Sequence, residues 1–196
     1  MSSSITLSLL PVDDEHGPEA GRALLAEAQQ RMGMIPNMYR GMANAPALLA
    51  TYRDGYARFR EQSGFTPAEQ EVVFLSISRE NGCNYCVGAH SFLADHVSGV
   101  ARAVTDAIRG DGEIPDARLS VLSRFTRHLV ASRGWPQPLH ARAFLDAGYT
   151  ETQVLHLVLA IAVKTMSNYT NHLLATPLDA AFASRAVTPG QGPTPG

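Results

Sequence analysis

Apolar and polar positions along the chain recur at helical spacing, and no period-two alternation lasts for the length of a strand. The pattern predicts a helix over residues 18–32, a break at 33–36, and a short helical turn from Asn37. Pro46 suits the first position of a helix that runs to about Gln62 and stops at Ser63 and Gly64. Thr66, Pro67 and Glu69 form the clearest start signal, a cap, a first-position proline and a capping box. The helix they open carries Val72, Val73, Phe74, Leu75 and Ile77. It is apolar on most sides and so belongs in the core. Asn81 and Gly82 end it. A new helix begins at the cysteines and reaches about His96. Others follow near 100–109, 115–132 and 136–147, with Gly148 as a stop. Thr150 and Gln153 make a second capping box, opening a helix to about Ala175, and a short helix near 177–185 closes the series. The expectation is an all-α chain with one helical domain over residues 18–186. An irregular lead-in, 1–17, precedes it, and a Gly/Pro-rich flexible tail, 187–196, follows.

The length of 196 residues and the 45% apolar content suit a single domain with a core of its own. The net charge of -2 and the scattered basic residues argue against nucleic acid or an acidic membrane surface as partner. The N-terminus lacks the basic start of a secretory signal. The longest apolar run, 154–163, contains His156, ends at Lys164 and is too short to span a bilayer. The expected location is the cytoplasm, with no membrane partner.

Only two cysteines are present, Cys83 and Cys86. In a reducing compartment such a pair is catalytic or metal-binding more often than structural. At about 100° per residue, Cys83, Cys86 and His90 fall on one helix face. The cysteines follow Gly82 at a helix N-terminus, where free N–H groups and the dipole favour a thiolate. His90, one turn below Cys86, is placed to take its proton. Glu71 lies on the preceding helix. If Gly82 reverses the chain, Glu71 comes alongside the cysteine helix near the level of His90, as the start of a proton relay. Tyr85, between the cysteines, is a candidate to bind an oxygen of the substrate. Met34, Met38 and Met42 repeat at helical spacing and read as a core stripe, with the lining of a substrate entrance as the other reading.

The arrangement Glu71-x11-Cys83-x2-Cys86-x3-His90 resembles the signature of the AhpD-like branch of the carboxymuconolactone decarboxylase superfamily. Met32 to Asn37, Asn168 to His172 and Thr176 to Asp179 resemble its "peroxidase-related" members, over roughly residues 5–185. The resemblance implies an AhpD-like all-α fold, a homo-oligomer and no bound cofactor. It also implies reduction of a hydroperoxide through a disulfide between Cys83 and Cys86, restored by a dithiol, a thioredoxin-like protein or a lipoyl group. Where the best-known members carry a second histidine between the cysteines, this chain has Tyr85. Two other functions stand beside this one: a cofactor-free lyase of the kind that names the superfamily, and a zinc or redox-sensing module. For the last, Cys83, Cys86, His90 and His96 would be the ligands, though the usual second ligand pair is missing.

A shift of 84 residues lays Thr66 on Thr150, Glu69 on Gln153, Leu75 on Leu159, and Asn84-Tyr85 on Asn168-Tyr169. This suggests an internal helical duplication whose second copy lacks the chemistry. The two helices are then expected to pack together at the centre. The second should continue past Met166, where the first breaks at Gly82.

Overall fold

Nine α-helices and a terminal 3-10 turn follow one another in the computed structural model, which describes residues 6–187; no strand forms among them. The helices are α1 (Glu19–Met32), α2 (Asn37–Met42), α3 (Pro46–Gln62), α4 (Pro67–Glu80), α5 (Asn84–His96), α6 (Arg102–Gly110), α7 (Ala117–Ala131), α8 (Pro138–Asp146) and α9 (Glu151–Leu174). The all-α expectation holds, with boundaries displaced by a few residues at most. The α7 helix starts after Asp116, whose carboxylate accepts from the Leu119 N–H at 2.8 Å. The α8 helix waits for Pro138, the second of two nearby prolines, to take its first turn. The last segment, Ala180–Arg185, is a 3-10 turn. The expected tail beyond Val187 lies outside the described residues.

The centre of the molecule is α4. Every residue from Glu69 to Arg79 is buried, because α5, α6, α7 and α9 surround it. Its capping box forms as expected, with Thr66 accepting from Glu69 N–H and Glu69 accepting from Thr66 N–H. Phe74 stacks on Tyr56 at 5.1 Å and meets Phe59 at 4.8 Å, tying α4 to α3. Rings of this size each contribute about 1.5–3 kcal/mol by burial.

Gly82 is left-handed, with φ 72°, and reverses the chain within one turn. The Cys83 N–H then reaches back to the Ser78 carbonyl at 2.9 Å. A side chain at this φ carries a steric cost of roughly 1–2 kcal/mol. The reversal lays α5 against α4 as an antiparallel pair.

The α9 helix packs on α2, α3, α4 and α5, and continues unbroken through Met166. It therefore meets α4, with the second capping box in place. It is not a second core helix, however. One face is buried, along Leu157, Ala160, Val163, Lys164, Ser167, Asn168 and Asn171. The opposite face leaves Leu155 70% and Val158 52% exposed, with Tyr169 and Leu173 further along. No described helix is long and apolar enough to cross a membrane.

Candidate active site

Three helices frame the site: α4 and α5 supply the signature residues, and α9 closes over them. Cys83 is the cap of α5 in an extended conformation, and Cys86 is the third helical residue. Both are free thiols and both are buried. The Asn171 amide on α9 donates to Cys86 Sγ at 3.4 Å and to Cys83 Sγ at 3.8 Å. The Ser167 hydroxyl lies 4.0 Å from Cys86 Sγ.

Glu71 and His90 meet directly. His90 Nδ1 and Glu71 Oε2 are 2.8 Å apart, with both side chains buried. The antiparallel turn at Gly82 is what brings them level. The other Glu71 oxygen accepts from Arg60 on α3, which also donates to Tyr56 OH at 2.6 Å and to Gln70 at 3.1 Å. Burial pushes the Glu71 carboxyl up, but the His90 and Arg60 partners outweigh it and hold it below the usual glutamate value. Burial and the nearby Lys164 charge lower His90, so its ring is neutral near pH 7 despite Glu71. With the Nδ1 proton given to Glu71, Nε2 is an acceptor, and Lys164 Nζ lies 2.9 Å from it.

Lys164 is the residue the signature did not contain. It is fully buried on α9, lies against His90, and lines the cavity beside Cys86. Both His90 nitrogens are thus occupied, one by Glu71 and one by Lys164. Glu71, His90 and Lys164 therefore form a hydrogen-bonded row, with Lys164 rather than the Cys86 thiol at His90 Nε2. Burial raises the Cys86 thiol. The Cys83 hydrogen bond, the Lys164 charge and His90 reverse this, bringing it well below an ordinary cysteine. The Cys83 thiol, which donates to Cys86 and is itself desolvated, is pushed up.

A cavity of about 390 Å³ opens onto this cluster. Cys86, His90 and Lys164 line its reactive end, while Met34, Met38, Tyr39, Tyr52, Phe92 and Phe182 supply apolar walls. Cys83 is not among its lining residues. Two of the three methionines therefore face the cavity, and the third, Met42, is core. Tyr85 also lines the cavity, but its hydroxyl is committed elsewhere. It donates to Asp179 at 2.5 Å and accepts from the Met38 N–H at 3.4 Å. Of the ligands considered for zinc, His96 is exposed at the far end of α5 and stacks on Phe92, away from the sulfurs. Among the described residues no three of His, Cys, Asp and Glu converge as a metal site.

No spacing rule points to Arg60, Ser167 or Asn171. Lys164 did leave a trace, as the charge that ends the longest apolar run.

No protein-family model and no curated protein matches the sequence. Solved structures do match. An uncharacterized peroxidase-related protein from Ralstonia eutropha JMP134, described as an alkylhydroperoxidase AhpD core, aligns over 85% of this chain and 88% of its own, with 20% identity and a TM-score of 0.72. An uncharacterized peroxidase-related protein from Silicibacter sp. TM1040 aligns over 92% and 95%, with 18% identity and a TM-score of 0.75. The debrominase Bmp8, solved in complex with 2,3,4-tribromopyrrole, aligns over 93% and 97%, with 16% identity and a TM-score of 0.73. The fold is thus the AhpD-like fold, shared with peroxidase-related proteins and with a debrominase.

Proposed function

We propose that the chain is a thiol-dependent peroxidase of the AhpD-like type, in which Cys86 attacks a hydroperoxide and Cys83 resolves the product as a disulfide. The observation that carries this reading is the placement of Cys86 alone at the wall of an apolar cavity, with Cys83 one turn behind it. The depressed thiol fits a nucleophile and the raised one a resolving partner that attacks later. Glu71 fixes the His90 tautomer, and His90 in turn orients the polar groups at the sulfur. A dithiol, thioredoxin-like or lipoyl-type reductant would restore the thiols, which suits a reducing cytoplasm and a homo-oligomeric protein.

Titration of free thiols before and after one equivalent of an organic hydroperoxide tests this. The expected result is loss of both thiols and their return with a dithiol. Retention of both thiols sinks the reading.

A second reading rests on the aromatic lining of the cavity and on the debrominase that shares the fold. The same two electrons, with a proton, would replace a ring halogen by hydrogen and release halide. Halide release from a bromopyrrole, with no thiol loss to hydroperoxides, would favour it. A cofactor-free lyase fits the same fold but makes no use of a thiol at the cavity wall.

A further inference from the structure

Lys164 is the only lysine in the chain; the other fifteen basic residues are all arginine. It is also fully buried, and among the described residues no carboxylate pairs with it. His90 Nε2 lies 2.9 Å from it and Phe74 lies under it at 5.7 Å, and it lines the same cavity as the Cys86 thiol. An ammonium taken out of water is strongly disfavoured unless a counter-charge meets it. The anion within reach is the Cys86 thiolate. Arginine would hold that charge as well, but arginine does not release a proton and lysine does.

We propose, building on the peroxidase reading above, that Lys164 is the acid of the reaction: its ammonium pairs with the Cys86 thiolate and gives its proton to the alkoxide expelled when Cys86 attacks a hydroperoxide. The steps balance. Cys86 S⁻ takes the terminal oxygen of ROOH, the O–O bond breaks, and RO⁻ leaves with the proton of Lys164 as ROH. Cys86 is then a sulfenic acid and Lys164 a neutral amine. The Cys83 thiol attacks the Cys86 sulfur, forming the disulfide, and its proton leaves with the hydroxide as water. A dithiol reduces the disulfide to two thiols, and Cys86 returns its proton to Lys164.

The cavity end of α9 suits this exchange, because the other groups facing the pair keep their protonation. Tyr52, Tyr56 beside Arg60, and Tyr85 beside Asp179 are all raised, chiefly by burial. Glu71 stays ionised between Arg60 and His90, and Cys83 stays protonated. Lys164 lines the cavity next to Cys86, where the leaving oxygen would sit.

A single lysine makes a direct test practical. Protein grown with lysine labelled at Cε and Nζ gives one side-chain NMR signal. Its chemical shift is expected to move when diamide converts the facing Cys86 thiolate to a disulfide. The same signal in both states overturns the proposal. Lys164→Met supplies the second arm, measured where its thiol is ionised. Single-turnover oxidation by tert-butyl hydroperoxide should fall by about 10²-fold or more, as for loss of a general acid. Peracetic acid, whose carboxylate leaves without a proton, should lose less than about tenfold. Equal losses with both oxidants overturn the proposal. If Lys164→Met does not fold, wild-type rates across hydroperoxides decide: near-independence of leaving-group pKa supports the acid, and a steep dependence overturns it. If the protein ignores hydroperoxides, the peroxidase reading and the acid role have failed, and the NMR signal still decides whether Lys164 pairs with the Cys86 thiolate.

Discussion

Replacing Glu71 by glutamine removes one charge and almost no volume. In the wild type, one carboxylate oxygen accepts from Arg60 and the other faces His90 Nδ1. Glutamine has one acceptor and one donor. If its oxygen faces His90, its amide meets the Arg60 guanidinium, donor against donor. If it turns over, His90 must carry its proton on Nε2 and point it at Lys164. Either way one buried donor loses its partner, at about 1–3 kcal/mol. Losing the counter-charge of a largely buried guanidinium costs about 3–5 kcal/mol. Arg60 keeps Tyr56 and Gln70, so we expect a loss of about 3 kcal/mol, where the two ranges meet. For a chain of this size that is a fall in melting temperature of about 6–12 °C. Thermal denaturation followed by circular dichroism at pH 7 measures it. The pH dependence has a definite sign. The folded pKa of Glu71 is depressed, so the stability it contributes is fully present above the unfolded value near 4.5. It is lost as pH falls through the folded pKa, and the gap between the two proteins should close there. A Glu71→Gln melting temperature within about 1 °C of wild type at pH 7, well under one kcal/mol, refutes the donor accounting.

Other expectations follow from the same contacts. His90→Ala should move the pH profile for alkylation of the reduced protein upward, because it removes one of the groups that hold the Cys86 thiol down; an unchanged profile would disconnect His90 from the sulfur. Gly21→Ala should cost about 1–3 kcal/mol, because its methyl meets the Ala43 carbonyl oxygen and α1 must lift away; an unchanged urea midpoint would contradict that close approach. The exposed stripe of Leu155, Val158, Tyr169 and Leu173 suits a symmetric subunit contact, so sedimentation at micromolar concentration should find a species heavier than 21.1 kDa, and a monomer counts against it.

The helices were legible because caps and breakers are local. Thr66, Pro67, Glu69 and Gly82 fix where α4 begins and α5 turns back, whatever packs around them. The meeting of Glu71 and His90 was legible for the same reason, since one glycine turn determines it. The α9 half of the site was not. Lys164, Ser167 and Asn171 lie more than eighty residues from Cys83, and only tertiary packing selects which face of α9 turns inward. Nor does the 84-residue repeat show that α9, unlike α4, is buried on one side: Leu155 and Val158 stay exposed, while the Leu7 N–H meets the Leu173 carbonyl further along. The hydroxyl of Tyr85 was not placed by its position beside the sulfurs either, because Asp179, ninety-four residues on, accepts from it.

That one-sided packing of α9 has a mechanical meaning. A single rigid rod carries the lysine and amide that address the sulfurs on one side and the unpartnered apolar stripe on the other. Sliding it by one residue, about 1.5 Å, would carry both polar groups out of register together, and a misplacement near 1 Å already costs about 10²-fold in rate. A partner packed on Leu155, Val158, Tyr169 and Leu173 would press on the same rod that carries Lys164 and Asn171, so surface and site share one lever.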